Sequence, residues 1–172
     1  LRQVSRNEDL DSDLLDSLVN YNGKRFAWIL RKLRRHVFDE VERPVIGVWG
    51  LAYKKNTQST KNAFSLRLLR DLHGQAEFRV YDPRVKALPV EGGAEAAEDR
   101  DGVLDGADAL LVMTDWDEFA RADARTLVER MRRAVVIDCT GVLADVCLGR
   151  DGVRYVSMGR GVWPGDVDRS GR

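Results

Sequence analysis

Two short apolar runs constrain this chain more than anything else in it: residues 109–113 (A-L-L-V-M) and 134–138 (A-V-V-I-D). In an extended strand, successive side chains point to opposite faces, so a run that is apolar at nearly every position needs cover on both. A central strand of a parallel sheet, with helices above and below, meets that demand. A third run, Val45, Ile46 and Val48, is too short for an independent helix and rich in β-branched residues. Strands are predicted at 45–49, 77–81, 109–113, 134–138 and 153–156. Helical patterns lie between them at 61–73, 123–132 and 142–148, with a helical turn at 101–105 and a loop carrying one short strand at 84–97. The alternation predicts an α/β protein: a three-layer, Rossmann-like, mostly parallel sheet with helices on both faces and right-handed crossovers.

A long helix precedes the sheet. Leu14, Leu15, Leu18, Val19, Phe26, Ile29, Leu30, Leu33 and Val37 recur at three- and four-residue spacing, predicting a helix over residues 12–39. Its other face carries Lys24, Arg25, Arg31, Lys32, Arg34 and Arg35, which reads as a solvated face, with a basic docking surface as the alternative. The expectation is a connector standing off the sheet domain and packed on a neighbour. A homodimer through residues 12–39 would cover Leu15, Leu18, Phe26 and Ile29. The domain reading is 1–41 for this helical segment, 42–161 for the sheet domain and 162–172 for a mobile tail.

The 172 residues suit one domain plus an appendage. Lys+Arg and Asp+Glu both number 28, and this balance argues against a nucleic-acid-binding footprint. No apolar run approaches the length of a bilayer span, and the N-terminus lacks the apolar core of a signal peptide. Neither nucleic acid nor membrane is therefore an expected partner. Cys139 and Cys147 are too few for a disulfide framework and have no histidine near them to complete a zinc site, so no metal is expected and a cytoplasmic protein with reduced thiols is the default. The chain starts without Met, which points to a piece cut from something larger.

The stretch 44–55 (P-V-I-G-V-W-G-L-A-Y-K-K) reads as strand, then loop, ahead of the helix from 61. Ligands of open α/β sheets bind at the carboxyl ends of the strands. There Tyr53 offers a flat ring for a base, and Lys54 and Lys55 offer charge for a phosphate. Gly47 and Gly50 form G-x-x-G rather than a dinucleotide fingerprint, and tight packing and ligand contact both remain open for them. Asp82 closes the second strand, where it could bind a ribose hydroxyl or open an Asp-Pro turn, the turn being preferred. Asp115 is a candidate cap and Trp116 a cover for the sheet edge, while Asp117 and Glu118 lack a partner for acid–base work. Asp138 ends a buried strand where ligands gather. Cys139 reads as a small buried hydrophobe, and His36 and His73 as surface or packing residues.

These pieces in order resemble the C-terminal, UDP-binding half of the UDP-glucose/GDP-mannose dehydrogenases. The residues that carry the resemblance are V-I-G-V-W-G-L-A-Y-K-K-N-T at 45–57, V-Y-D-P at 80–83, A-D-A-L-L-V-M-T-D-W-D-E-F at 107–119, V-V-I-D at 135–138 and V-R-Y-V-S-M-G-R-G at 153–161. V-N-Y-N-G-K-R-F at 19–26 is similar to that family's dimer-forming central helix. The family oxidises the 6-hydroxyl of a nucleotide sugar to a carboxylate with NAD⁺, which its N-terminal domain binds, and its nucleophilic cysteine precedes the central helix. Cys139 and Cys147 do not match that cysteine. The resemblance therefore implies no catalytic residue and no bound cofactor in this chain, which would be inert without an N-terminal NAD domain. It implies a UDP-sugar or other nucleotide sugar as partner, with Tyr53, Lys54, Asp138 and Thr140 as substrate-binding residues. The chain departs from the family pattern at Lys61-Asn62-Ala63 (usually R-E-S), at Asn56 (usually Asp) and at Thr140 (usually the Arg of D-G-R). A diverged, non-catalytic binding or assembly module is the alternative, and G-x-x-G disfavours a free-standing NAD-binding domain.

Overall fold

Ala109–Val112 and Val135–Asp138 are strands in which every residue is buried. They lie at the centre of a seven-stranded sheet seen in a computed structural model, which describes the backbone of residues 13–86, 93–159 and 161–163 and the side-chain surroundings of 23–86 and 93–159. The elements are α1 (Asp13–Leu33), β1 (Val45–Trp49), α2 (Phe64–Asp71), β2 (Glu77–Tyr81), β3 (Ala94–Ala96), β4 (Ala109–Val112), α3 (Ala124–Arg130), β5 (Val135–Asp138), α4 (Ala144–Cys147), β6 (Arg154–Ser157) and β7 (Gly161–Trp163), with 3₁₀ turns at Gly102–Leu104 and Phe119–Arg121. The spatial order is β3-β2-β1-β4-β5-β6-β7. The first six strands in that order are parallel and β7 is antiparallel to β6. This is the expected mostly parallel α/β sheet with helices on both faces.

Alternation within the central strands feeds two cores. Ala109, Leu111, Val135 and Ile137 join Ile46, Val48, Phe78, Leu68 and Leu69 on one face. Leu110, Val112 and Val136 join Trp49, Val103, Phe119, Leu127, Cys147 and Tyr155 on the other. Gly47 is where the second layer comes closest. A Cβ there would lie 2.7 Å from Val103 Cγ1 and 3.1 Å from the Val103 carbonyl oxygen. This glycine thus serves packing, seating the 3₁₀ turn Gly102–Leu104 against β1.

The long helix corrects the sequence expectation. Phe26, Ile29, Leu33 and Val37 are buried in the first core, against this chain's own sheet, so this part of α1 does not stand off the domain. The reason is width. A helix covers a band about 10 Å wide, whereas six strands at ~4.8 Å span roughly 24 Å. The eight-residue α2 cannot cover that face alone, and α1 lies against β5. Each fully buried side chain of this kind contributes about 1.5–3 kcal/mol relative to exposure. Phe26 also meets Phe64 of α2 with ring centroids 5.8 Å apart, and the Arg67 guanidinium lies 4.0 Å over its ring. Leu15 and Leu18, the other expected dimer residues, lie outside the described side chains. The helix ends in a wide π turn, Arg34–Phe38, in which the consecutive residues His36 and Val37 are both buried. Asp39 N–H donates to the Arg34 carbonyl at 2.9 Å.

The last strand is a second correction. Residues 162–163 were expected in a mobile tail, but Gly161–Trp163 pairs with β6 in the register Tyr155↔Trp163, Val156↔Val162 and Ser157↔Gly161. Three residues are too few to reveal a period of two. The rest of that tail lies outside the described residues.

Gly47→Ala tests the packing. It is expected to cost about 1–3 kcal/mol as an overpacking change, read as a lowered urea midpoint with an unchanged slope. An unchanged midpoint would mean that the turn moves aside freely.

Candidate functional site at the carboxyl ends of the strands

The chain leaves β1 toward β2 and β3, then returns to β4 on the other side of β1. The loops after β1 and β4 therefore diverge, opening the crevice in which α/β proteins place ligands. Asp82, at the end of β2, builds this edge. It is 3% exposed. Its Oδ2 accepts from the N–H groups of Leu51 (2.8 Å) and Ala52 (2.9 Å) and from Trp116 Nε1 (3.2 Å). Its Oδ1 accepts from the N–H groups of Arg84 (2.8 Å) and Val85 (3.0 Å). A carboxylate with five donors is saturated, so the turn reading of Asp82 holds and a ribose has no acceptor there. Gly50, at φ +94°, leaves no room for a side chain: a Cβ would sit 2.6 Å from Thr114 Cβ. Both glycines of G-x-x-G are thus taken up by protein packing.

The carbonyls of the same loop are also satisfied. Ser65 Oγ donates to Leu51 O at 3.0 Å and Thr114 Oγ1 to Ala52 O at 2.7 Å. Tyr53 N–H closes the loop on Ser59 O at 2.8 Å. From this support Tyr53 projects with 64% of its surface exposed. Asn56 and Asn62 adopt φ of 63° and 62°, a left-handed conformation that Asn tolerates better than most residues. The departure at Asn56 therefore sits on a turn residue.

Tyr53 and Lys54 open onto a cleft of about 790 Å³, lined also by Arg25 of α1, Ala52, Ser59, Lys61, Asn62, Ala63, Phe64, Ser65 and Met113. No carboxylate is among these residues. The two loop lysines differ. Lys55 Nζ is held by Asp117 Oδ1 at 3.0 Å, and this hydrogen bond raises its pKa. Lys54 has no carboxylate partner among the described residues. Sequence reasoning missed Arg25, counted among the cations of a solvated face, although Arg25 is half-buried while Lys24, Arg31 and Arg34 are exposed. The available signal was its position beside Phe26, at the border of the apolar stripe. Lys61 was noted only as a departure from a pattern.

Asp138 and Thr140 are elsewhere. β4 separates β1 from β5, so the loops that carry Tyr53-Lys54 and Asp138-Thr140 stand about two strand spacings, ~10 Å, apart. Asp138 is fully buried. Its Oδ1 accepts from Thr140 N–H, Thr140 Oγ1 and Gly141 N–H at 2.8–2.9 Å, and its Oδ2 accepts from Leu143 N–H and Tyr155 O–H at 2.9 Å. The geometry makes it the organiser of its loop, with no acceptor capacity left for a ligand. Thr140 is exposed, with its hydroxyl turned onto Asp138. Trp116 is buried in the second core and donates its indole N–H to Asp82, and the 3₁₀ turn that follows has no side-chain cap, so Asp115 does not act as one.

Cys139 Sγ lies 3.6 Å from Met113 Sδ, and burial pushes the thiols of Cys139 and Cys147 up to about 12. Neither is a nucleophile at neutral pH. Among the described residues no group of three His, Cys, Asp or Glu side chains could hold a metal, and no helix is long and apolar enough to cross a membrane.

Two outcomes test this geometry. Asp82→Asn places an amide N–H₂ against donors and is expected to lower stability by about 2–4 kcal/mol in urea unfolding; a loss below about 0.5 kcal/mol would show that the loops hold without it. The thiols should resist Ellman's reagent at pH 8 in the native protein and both react in denaturant. Their folded pKa values exceed the unfolded value of about 8.5. The stability they contribute is therefore fully present below that pH and is lost as pH rises toward about 12.

Comparison with known proteins agrees with this architecture. The family model for the UDP-glucose/GDP-mannose dehydrogenase family, UDP binding domain, matches residues 47–145. A UDP-glucose 6-dehydrogenase of Rhizobium meliloti is 26% identical over 163 residues, covering 93% of this chain and 37% of the relative. The Haloferax volcanii UDP-glucose 6-dehydrogenase AglM is 31% identical over 161 residues, covering 90% and 35%. The solved UDP-glucose dehydrogenase of Pyrobaculum islandicum shares the fold at a TM-score of 0.66 and 20% identity, covering 79% of this chain and 31% of that one. The chain thus spans about 35–37% of the length of these two curated relatives. With more than half of its residues inside the family match, the chain belongs to the UDP-glucose/GDP-mannose dehydrogenase family, as its UDP-binding domain with helix α1 ahead of it.

Proposed function

We propose that this chain is the substrate-nucleotide-binding half of an NAD-dependent nucleotide-sugar 6-dehydrogenase, whose parent oxidises a sugar 6-hydroxyl to a carboxylate. The observation that carries the reading is the cleft at the ends of β1 and β4. Among the described residues, three cations, Arg25, Lys54 and Lys61, line it without a carboxylate, beside the exposed ring of Tyr53. A diphosphate is the anion that three such cations suit, and a base can stack on Tyr53. Thr140 stands on the loop after β5, which Asp138 shapes from beneath, and is read as part of the wider rim of the site about two strand spacings from Tyr53.

NAD does not fit the residues of this half. Gly47 is filled by Val103, Gly50 by Thr114, and the Asp82 carboxylate has no free acceptor. The cofactor is therefore assigned to an N-terminal domain of the parent, and no redox step is assigned to the residues described here. The parent is read as a cytoplasmic homodimer joined through residues 12–39, of which Phe26 and Ile29 are covered by this chain's own sheet.

One residue favours the second reading, a diverged assembly module. Thr140 replaces a planar multi-donor side chain with a hydroxyl that is already bonded. Titration of UDP, GDP and their sugar conjugates separates the two. Binding by this half alone is expected in the millimolar to high-micromolar range, about 4–6 kcal/mol, and Lys54→Ala should weaken it by about 1–3 kcal/mol. Saturable binding indifferent to Lys54→Ala would place the site elsewhere. No binding by the intact two-domain parent would favour the assembly module.

A further inference from the structure

Among the described residues, Arg25 is the one cation of the cleft that does not come from the sheet domain's own loops. Helix α1 delivers it. Its Nε is fully buried and has no hydrogen-bond partner among the described residues, and no carboxylate lines the cleft among those residues. A permanent cation on a half-buried side chain, with no carboxylate partner among the described residues, is an energetic deficit that the counter-charge of a bound anion offsets. The neighbouring residue Phe26 is the contact that docks this part of α1, between the Phe64 ring and the Arg67 guanidinium. Phe64 itself lines the cleft. The anion-facing residue and the docking residue of α1 are therefore consecutive in sequence, and both meet the cleft wall.

We propose that Arg25 is an anion-binding residue that couples occupancy of the cleft to the docking of α1. A diphosphate in the cleft supplies the counter-charge that Arg25 lacks among the described residues, and in doing so ties α1 to the sheet. By linkage, a ligand that binds the docked form more tightly than the undocked form shifts the helix toward docking, and a docked helix raises the affinity for the ligand. The inference rests on the nucleotide-cleft reading above and adds to it a structural response in a helix that reaches well beyond the cleft.

The test uses the full chain, with inorganic pyrophosphate and UDP as probes. Calorimetric titration compares the wild type with Arg25→Gln, Lys54→Gln and Arg31→Gln, the last being an exposed cation of the same helix. Arg25→Gln should lose about tenfold in affinity for both probes, as expected of one charge-assisted hydrogen bond, while Arg31→Gln should change it less than about twofold. Hydrogen exchange of the backbone amides of residues 26–38 should slow in the wild type when pyrophosphate saturates the cleft, and this measurement needs no variant to fold. Arg25→Gln should abolish that slowing. Equal affinities for Arg25→Gln and Arg31→Gln, or a helix whose exchange ignores bound pyrophosphate, would overturn the proposal. Loss on Lys54→Gln alone would leave the cleft reading standing while Arg25 falls. A wild type that binds neither probe would overturn both.

Discussion

Asp82 ties together the ends of three strands, and the site exists because of it. Leu51 and Ala52 emerge from β1 with two N–H groups and two carbonyls that the sheet ladder cannot reach. The N–H groups go to Asp82, and the carbonyls go to Ser65 and Thr114. All four backbone groups of this dipeptide are therefore paired inside the protein. The same carboxylate holds Trp116 from the β4 loop and the backbone of Arg84 and Val85 beyond β2. Tyr53 and Lys54 follow this locked dipeptide directly, so their backbone is fixed before any ligand arrives. Preorganisation of this kind reduces the ordering cost that binding must overcome.

Asp138 repeats the solution at the end of β5. It ends a fully buried strand, accepts five hydrogen bonds as Asp82 does, and anchors a turn and a tyrosine. Burial and the adjacent carboxylate push the Tyr155 phenol well above its ordinary value, so its proton stays in place. Both aspartates sit where ligands gather in α/β proteins, and both are turned inward. A carboxylate at a strand end has two uses, and the number of N–H groups that converge on it decides between them. Sequence shows the aspartate but not the convergence. This is why Asp138 was expected at the ligand while Asp82 was correctly preferred as a turn: the Asp-Pro dipeptide carried its own signal.

The sheet was legible because the runs at 109–113 and 134–138 admit one arrangement, with both faces covered. The stripe of α1 was legible too, but a stripe reports that a face is buried and not against what. The partner of Phe26, Ile29, Leu33 and Val37 depended on how much sheet α2 leaves uncovered, a quantity that appears only once the strand order is known. The cleft was half legible. Tyr53 and Lys54 lie on one loop and could be seen together, whereas Arg25 and Phe64 reach the same place from two different helices. Lys54 and Lys55 could not be ranked from sequence, since the choice turns on Asp117, which folding brings to Lys55 across 62 positions of chain.

That last contact explains how a chain with 28 basic and 28 acidic residues presents a basic cleft. The charge is made local by pairing elsewhere. Lys55 is matched by Asp117, Arg79 by Glu95, Arg130 by Asp105, Arg132 by Asp108, and both Arg133 and Arg154 by Glu40. The negative charges of Asp82 and Asp138 are spread over five donors each. Arg25, Lys54 and Lys61 are left facing one volume with no acidic side chain in its wall among the described residues. A field built this way is short in range, since exposed charges are screened within about 8–10 Å at physiological ionic strength. It discriminates among anions that have entered the cleft more than it steers them from afar. Within the cleft the half-buried Arg25 is screened less than the exposed Lys54 and Lys61, so the helix-borne cation keeps more of its attraction as salt rises.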